Sequence, residues 1–192
     1  MHKNFDRKIY NLSLFLQDSW FLLTHALKIR KMFRDEHITR AFVEKIMTVV
    51  TAVNGCTYCS WFHAKQALSS GLDEDQIRDL MLLQFEADAD DNELTALLYA
   101  QHYAETNRQP DPALTDRLYA TYGAATSDNI LLAIRMIFFG NLMGNTFDAF
   151  LSRLKGKPAE KSNILFEGFF FLLTAPLMYP AKWMMKAEAN QP

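Results

Sequence analysis

Residues 54–63 read Asn54-Gly55-Cys56-Thr57-Tyr58-Cys59-Ser60-Trp61-Phe62-His63, and this stretch contains both cysteines of the chain. Asn-Gly is a strong turn signal, so we expect one helix to end before Cys56 and the next to begin there. Residues 56, 59 and 63 are offset by three and by four positions, which places them on one face of the second helix. Both thiols then lie in the first turn, where free backbone N–H groups and the helix dipole stabilise a thiolate.

This arrangement predicts redox chemistry. A thiolate attacks a peroxide or a disulfide, and a second thiol three residues away can close a disulfide with the first. His63 lies one turn below the sulfurs and can move a proton. Glu44 lies on the preceding helix, and the turn lets that helix fold back so that the carboxylate orients the imidazole. The helix dipole alone favours Cys56, the more N-terminal cysteine, as the more acidic thiol.

Helical periodicity also dominates outside this stretch, so we predict an all-α bundle. Asp73 followed by Gln76 is a capping-box pattern, Gly123 is expected to end a short helix, and Ser127 or Asp128 is expected to cap the next. We predict a single domain over residues 1–192, with a helix at about 5–33 and an apolar segment at about 161–185 as extensions. The remaining helices are predicted at about residues 39–53, 56–70, 73–85, 92–106, 112–123 and 127–155, and the last at about 161–175, before Pro176.

Composition narrows the functional classes. The 192 residues are 49% hydrophobic and 22% charged, with a formal net charge of −2 and no basic stripe, so we expect no nucleic-acid partner. Two close cysteines do not make the disulfide framework of a secreted scaffold. We see no signal peptide. The apolar run 164–179 is shorter than a bilayer span, so we expect a cytoplasmic protein. Its apolar end is expected to pack in the core or in a subunit interface and not on a membrane; peripheral membrane contact, aided by Lys182 and Lys186, is the alternative.

The spacing of Glu44, Cys56, Cys59 and His63 resembles the signature of the alkylhydroperoxidase D-like branch of the carboxymuconolactone decarboxylase family, best over residues 35–105. The resemblance implies an all-helical, obligate homo-oligomer, a trimer or a multiple of one, that reduces hydroperoxides or disulfides with electrons from a dithiol donor and needs no cofactor. By carry-over, Cys59 attacks the peroxide, Cys56 forms the disulfide with it, and His63 and Glu44 relay protons. One departure is Tyr58, which stands where studied members carry a histidine, so a slower peroxidase or a general disulfide oxidoreductase fits equally well.

Two other functions stay open. The same four side chains could bind zinc in a helical interaction or redox-sensing protein, although no second Cys-x-x-Cys is present. The wider family also implies a cofactor-free decarboxylase, whose members act without the cysteine pair. Tyr58, Trp61 and His102 are candidates for lining a pocket. Two polar side chains on an otherwise apolar helix, Asn141 and Asn145, are expected to form buried hydrogen bonds.

Overall fold

The computed structural model describes residues 5–33, 38–85, 90–160 and 162–189. Within these ranges the chain forms seven helices and no strand beyond an isolated bridge between Phe5 and Ala159, which confirms the predicted all-α class. In chain order the helices are α1 (Leu12–Met32), α2 (Arg40–Asn54), α3 (Thr57–Ser69), α4 (Glu74–Met81), α5 (Asp91–Glu105), α6 (Pro112–Leu154) and α7 (Ile164–Ala189).

The helix α2 is the centre of the bundle and contacts α3, α4, α5 and α6. Its side chains Ile46, Val49 and Val50 are fully buried. Burying a side chain of this size stabilises the fold by about 1.5–3 kcal/mol. The same helix carries Glu44 into the interior, where it is only 5% exposed. The position of this carboxylate is therefore fixed by the best-packed helix of the protein.

The helix α6 consists of two segments that meet at Gly123, where φ is 71° and ψ is 168°. Glycine adopts a positive φ without the steric cost that a Cβ atom brings. The predicted break at Gly123 is confirmed, but the second segment begins directly after it and not at Ser127 or Asp128. Ser127 is buried within the helix instead, and its hydroxyl donates a hydrogen bond to the Leu118 carbonyl (3.1 Å).

The helix α1 begins at Leu12, so the prediction of a helix from about residue 5 is wrong in its first seven positions. Asn11 is extended, and its side chain accepts a hydrogen bond from the Leu14 N–H (2.9 Å), which makes it the N-cap. The preceding segment lies against α6, where the Tyr10 N–H donates to the Thr146 hydroxyl (2.9 Å). This tertiary hydrogen bond replaces the one that the Tyr10 N–H would make in a longer helix.

The helix α7 continues through two prolines, contrary to the prediction that it ends before Pro176. Pro176 and Pro180 both lie on its exposed face. Water can therefore bond the carbonyls of Leu172 and Pro176, which lose their helical N–H partners. The predicted start of this segment at Lys161 lies outside the described residues.

Among the residues that the structure describes, two helices are long and apolar enough to cross a membrane, namely α6 and the part of α7 from Ile164 to Glu188. Their most apolar windows are 67% and 22% buried inside the protein, respectively. The first is therefore a core helix, whereas the second exposes most of its apolar surface. Both terminal extensions still pack on the bundle, because Met32 of α1 and Phe170 of α7 belong to the main hydrophobic core.

Candidate redox-active site

The turn between α2 and α3 positions the two cysteines. Gly55 ends α2 in the left-handed conformation (φ 68°, ψ 29°), and its N–H donates to the Thr51 carbonyl (2.8 Å). Cys56 follows as the extended N-cap of α3. The expectation that the Asn-Gly turn separates two helices and places the first cysteine at a helix start is thereby confirmed.

Cys56 and Cys59 form a disulfide, with their Cα atoms 5.3 Å apart. The Sγ atom of Cys56 also accepts a hydrogen bond from the Cys59 N–H (3.3 Å). The two sulfurs differ in access, because Cys56 is fully buried whereas Cys59 is partly exposed. Of the two residues, Cys59 is the one that lines the adjoining cavity.

The side chains of Glu44 and His63 form a buried pair. The Nδ1 atom of His63 lies 2.7 Å from Oε2 of Glu44, and both residues are at most 9% exposed. A carboxylate can only accept hydrogen bonds, so Nδ1 carries the hydrogen, and in the neutral imidazole Nε2 then holds the lone pair. Among the described residues, no hydrogen-bond partner occupies Nε2. The histidine is thus held in the tautomer that can take up a proton.

A cavity of about 840 Å³ lies between α2, α3, α6 and α7. Cys59, His63 and Glu44 are among its lining residues. Most of its other walls are apolar, and four of the side chains are methionines, which adapt readily to the shape of a ligand: Met47, Met136, Met143 and Met178. A mostly apolar cavity with a few polar groups is typical of a site for an organic molecule.

Residues 20–102 match the sequence model of the carboxymuconolactone decarboxylase family. The chain is therefore similar to that family over this segment. The segment contains Glu44, Cys56, Cys59 and His63, and it ends before α6 and α7, which supply the other walls of the cavity. No curated protein and no solved structure matches the chain significantly.

Two of the three predicted pocket residues of the family segment line the cavity, Tyr58 and Trp61. The Trp61 Nε1–H donates to Glu188 of α7 (2.7 Å). The third residue, His102, is not part of the cavity lining. It lies on α5, where its Nε2 atom accepts a hydrogen bond from the Asp111 N–H (3.2 Å), so it connects α5 to the start of α6.

Tyr58 stands between the two cysteines but is turned toward α6. Its hydroxyl donates to Oδ1 of Asp148 (2.7 Å). Burial, the hydrogen bond to Asp148 and the charge of that carboxylate raise the pKa of the Tyr58 phenol above its ordinary value. The phenol therefore keeps its proton at neutral pH and cannot act as the base that a histidine would provide.

Sequence analysis did not identify Arg7, which stabilises the turn between α2 and α3 that precedes the two cysteines (the redox turn). Its guanidinium donates to the Gly55 carbonyl (2.9 Å), to Asn145 Oδ1 (3.1 Å) and to Asp148 Oδ2 (2.8 Å). The buried Asn145 in turn donates to the Asn54 carbonyl (2.9 Å), as the prediction of buried hydrogen bonds anticipated. The only sequence signal for this network was that polar position on α6.

Gly144 of α6 lies against the redox turn. A Cβ atom there would be 2.7 Å from the Cys56 Sγ atom and 3.1 Å from Cδ2 of Tyr58. The absence of a side chain therefore allows α6 to pack directly on the cysteine loop.

Within the part of the chain that the structure describes, no three His, Cys, Asp or Glu side chains are grouped as metal ligands, so the zinc hypothesis has no ligand set there.

Proposed function

We propose that this protein is a thiol-dependent oxidoreductase that reduces organic hydroperoxides through a Cys56–Cys59 dithiol–disulfide cycle. One observation carries the proposal: Cys59, one half of the disulfide, lines the same apolar cavity as the buried Glu44–His63 pair. A redox-active sulfur, a positioned base and space for an organic substrate therefore coincide.

In the first step, Nε2 of His63 takes the proton of the Cys59 thiol. The thiolate attacks one peroxide oxygen, the O–O bond breaks, and Cys59 becomes a sulfenic acid. The alkoxide leaves as an alcohol after it receives the proton back from His63. Glu44 stabilises the imidazolium that exists between the two transfers.

In the second step, the Cys56 thiolate attacks the sulfenic sulfur, and hydroxide leaves as water with the proton from Cys56. The disulfide seen in the structure is the product. The sum is one hydroperoxide and two thiols giving one alcohol, one water and one disulfide. A dithiol donor then restores both thiols by exchange and is itself oxidised to a disulfide.

The partial exposure of Cys59 supports it as the attacking thiol, in agreement with the family carry-over, whereas Cys56 is fully buried. The homo-oligomeric state, the cytoplasmic location and the identity of the dithiol donor remain predictions. A general disulfide oxidoreductase would use the same pair, with a substrate disulfide in place of the peroxide.

The experiment is a thiol titration of reduced, metal-free protein before and after one equivalent of cumene hydroperoxide, with mass spectrometry of the peptide that contains both cysteines. We expect the loss of both thiols and one equivalent of alcohol. Cys56→Ser should still consume one equivalent and stop at a Cys59 sulfenic acid that dimedone traps, whereas Cys59→Ser should consume none. Thr57→Ala, an exposed change in the same turn, is the matched control.

Thiols that survive the peroxide would refute the peroxidase proposal. If they were then lost to an oxidised dithiol, the protein would be a disulfide oxidoreductase. Decarboxylation of a carboxymuconolactone that persists after both cysteines are replaced by serine would establish the decarboxylase alternative.

A further inference from the structure

The helices α1 and α7 expose an unusual amount of apolar surface. On α1 the exposed residues follow the helical period at Leu12, Leu16, Trp20, Leu23 and Leu27, each more than half exposed. On α7 the large hydrophobic residues that are more than half exposed are Ile164, Leu165, Phe169, Leu172, Leu173, Leu177 and Trp183. We call these two sets together the outer face. Patches of this kind mark sites of interaction with a protein or a membrane.

The two halves of the outer face are continuous at their beginnings. The ring of Phe15 on α1 packs edge-to-face on Phe170 of α7 (5.1 Å between centroids). Leu12, Leu165 and Phe169 line one shallow cavity between the two helix starts. One surface could therefore cover both helices at once.

The acidic and the basic residues of α1 and α7 have different surroundings. All three acidic residues of these helices are paired with cations of the bundle: Asp18 with Arg108 (2.7 Å), Glu167 with Arg153 (2.6 Å), and Glu188 with Lys65. The lysines and arginines of the two helices are exposed, namely Lys28, Arg30, Lys31, Lys182 and Lys186. Of these, Lys182 also forms an ion pair with Asp148 of the bundle (4.0 Å). The same two helices thus carry the apolar outer face and exposed cations, on a chain whose formal net charge is −2.

We propose that the outer face docks on an anionic lipid surface. Apolar side chains enter the acyl boundary, Trp20 and Trp183 suit the headgroup level, and the exposed cations meet the negative headgroups. A second copy of the chain fits less well, because a two-fold contact would place exposed cations of both copies in one interface, while the acidic residues of α1 and α7 are already paired within each copy. A lipid surface would also explain why the apolar residues of α7, which we expected in a core or a subunit interface, are exposed.

The helix α7 would lie along the surface and would not cross it. Its first turn is tied to the bundle by the Arg153–Glu167 ion pair and its last turns by Lys65 and Trp61 on Glu188. Between these points, Phe170 and Thr174 are buried against the protein. A helix held along one side of a folded bundle is an interfacial element.

The docking would bring the redox cavity to the lipid. Phe33, directly after α1, and Leu177 of α7 are both more than half exposed and both line the cavity that contains Cys59. Exposed apolar side chains at the end of α1 and on α7 therefore line the cavity, and Leu177 belongs to the outer face. Together with the proposed function, which this step requires, the substrate would be a hydroperoxide dissolved in the lipid.

The test is co-sedimentation of the full-length protein with sucrose-loaded vesicles, either of phosphatidylcholine alone or with about a quarter phosphatidylglycerol. We expect binding to the anionic vesicles that weakens as salt is added. The double variant Leu172→Ser/Trp183→Ser should bind at least about tenfold more weakly. Replacing Arg30 and Lys31 by Gln should weaken binding by about fivefold for each cation removed. Leu82→Ser, at an exposed leucine after α4, is the control and should bind normally.

Wild-type protein that stays in the supernatant with both vesicles would overturn the proposal. So would unchanged binding of the Leu172→Ser/Trp183→Ser variant, or a wild-type oligomer in sedimentation velocity that this variant dissociates. The measurement needs no thiol chemistry, so its failure is separate from a failure of the proposed function.

Discussion

Replacing Gly144 by alanine is expected to destabilise the protein, although alanine is the better helix former. Inside a helix, Gly→Ala ordinarily stabilises by about 1 kcal/mol. Here the new Cβ atom would lie 2.7 Å from the Cys56 Sγ atom and 3.1 Å from Tyr58 Cδ2. Optimal contacts are about 3.5–4.0 Å, so the sulfur must move by roughly 1 Å. Because Cys56 is fully buried and bonded to Cys59, the overpacking cost should reach about 3 kcal/mol and leave a net loss of about 2 kcal/mol.

Gly140→Ala is the matched control, since it lies one turn earlier on α6 and an added Cβ atom would have no neighbour within 4 Å. It should stabilise the protein by about 1 kcal/mol. The difference of about 3 kcal/mol between the two variants corresponds to roughly 6–12 °C in Tm for a chain of this size. Urea unfolding followed by circular dichroism measures it. Equal stabilisation by both substitutions would refute the close packing of α6 on the redox turn.

Three further predictions concern buried polar groups. Glu44→Gln should lower kcat/KM for a hydroperoxide by about tenfold or more and alter its pH profile, because an amide stabilises the His63 imidazolium poorly. If steady-state kinetics gave an unchanged pH profile, Glu44 would contribute only to packing. Tyr58→Phe should leave hydroperoxide turnover unchanged. The fold raises the pKa of Tyr58, so above about pH 10 the unfolded chain loses this proton before the folded protein does. The stabilisation from Tyr58 is therefore complete below that pH. Above it, the free energy of unfolding of wild type should fall by about 1.4 kcal/mol per pH unit more than that of the Phe variant, as measured by urea unfolding. Arg153→Met should cost at least about 2 kcal/mol by the same assay, because Glu167 is fully buried, and adding Glu167→Gln should recover part of the loss.

Features set by neighbouring residues were predictable from the sequence. The Asn-Gly turn, the Asp73–Gln76 capping box and the helix break at Gly123 all appear in the structure. The Glu44–His63 pair was also within reach, since a short turn between two helices leaves few ways for their faces to meet. In each case the deciding interaction spans only a few residues, or two helices adjacent in the chain.

Features set by distant residues were not predictable. The residues around Arg7 do not indicate that it lies outside a helix and donates a hydrogen bond to the Gly55 carbonyl, 48 positions away. Pro176 normally ends a helix, but α7 tolerates it on an exposed face, which only the tertiary packing defines. His102 has a helical spacing that suits a pocket-lining residue, but its Nε2 atom accepts a hydrogen bond from the Asp111 N–H. The close approach of α6 at Gly144 likewise depends on two elements far apart in sequence.

The two arguments about which thiol reacts first concern different half-reactions. The helix start favours Cys56 as the more acidic thiol, and its Sγ atom does accept the Cys59 N–H. Access favours Cys59, which lines the cavity. A peroxide, and later a dithiol donor, can reach only the accessible sulfur, so the Cys59 thiolate would attack the peroxide and the donor thiolate would attack the Cys59 sulfur of the disulfide. When the donor attacks, Cys56 is the leaving group, and a thiol of lower pKa leaves faster. The acidity of Cys56 would then speed the return to the dithiol, while the accessibility of Cys59 would determine where each reaction begins.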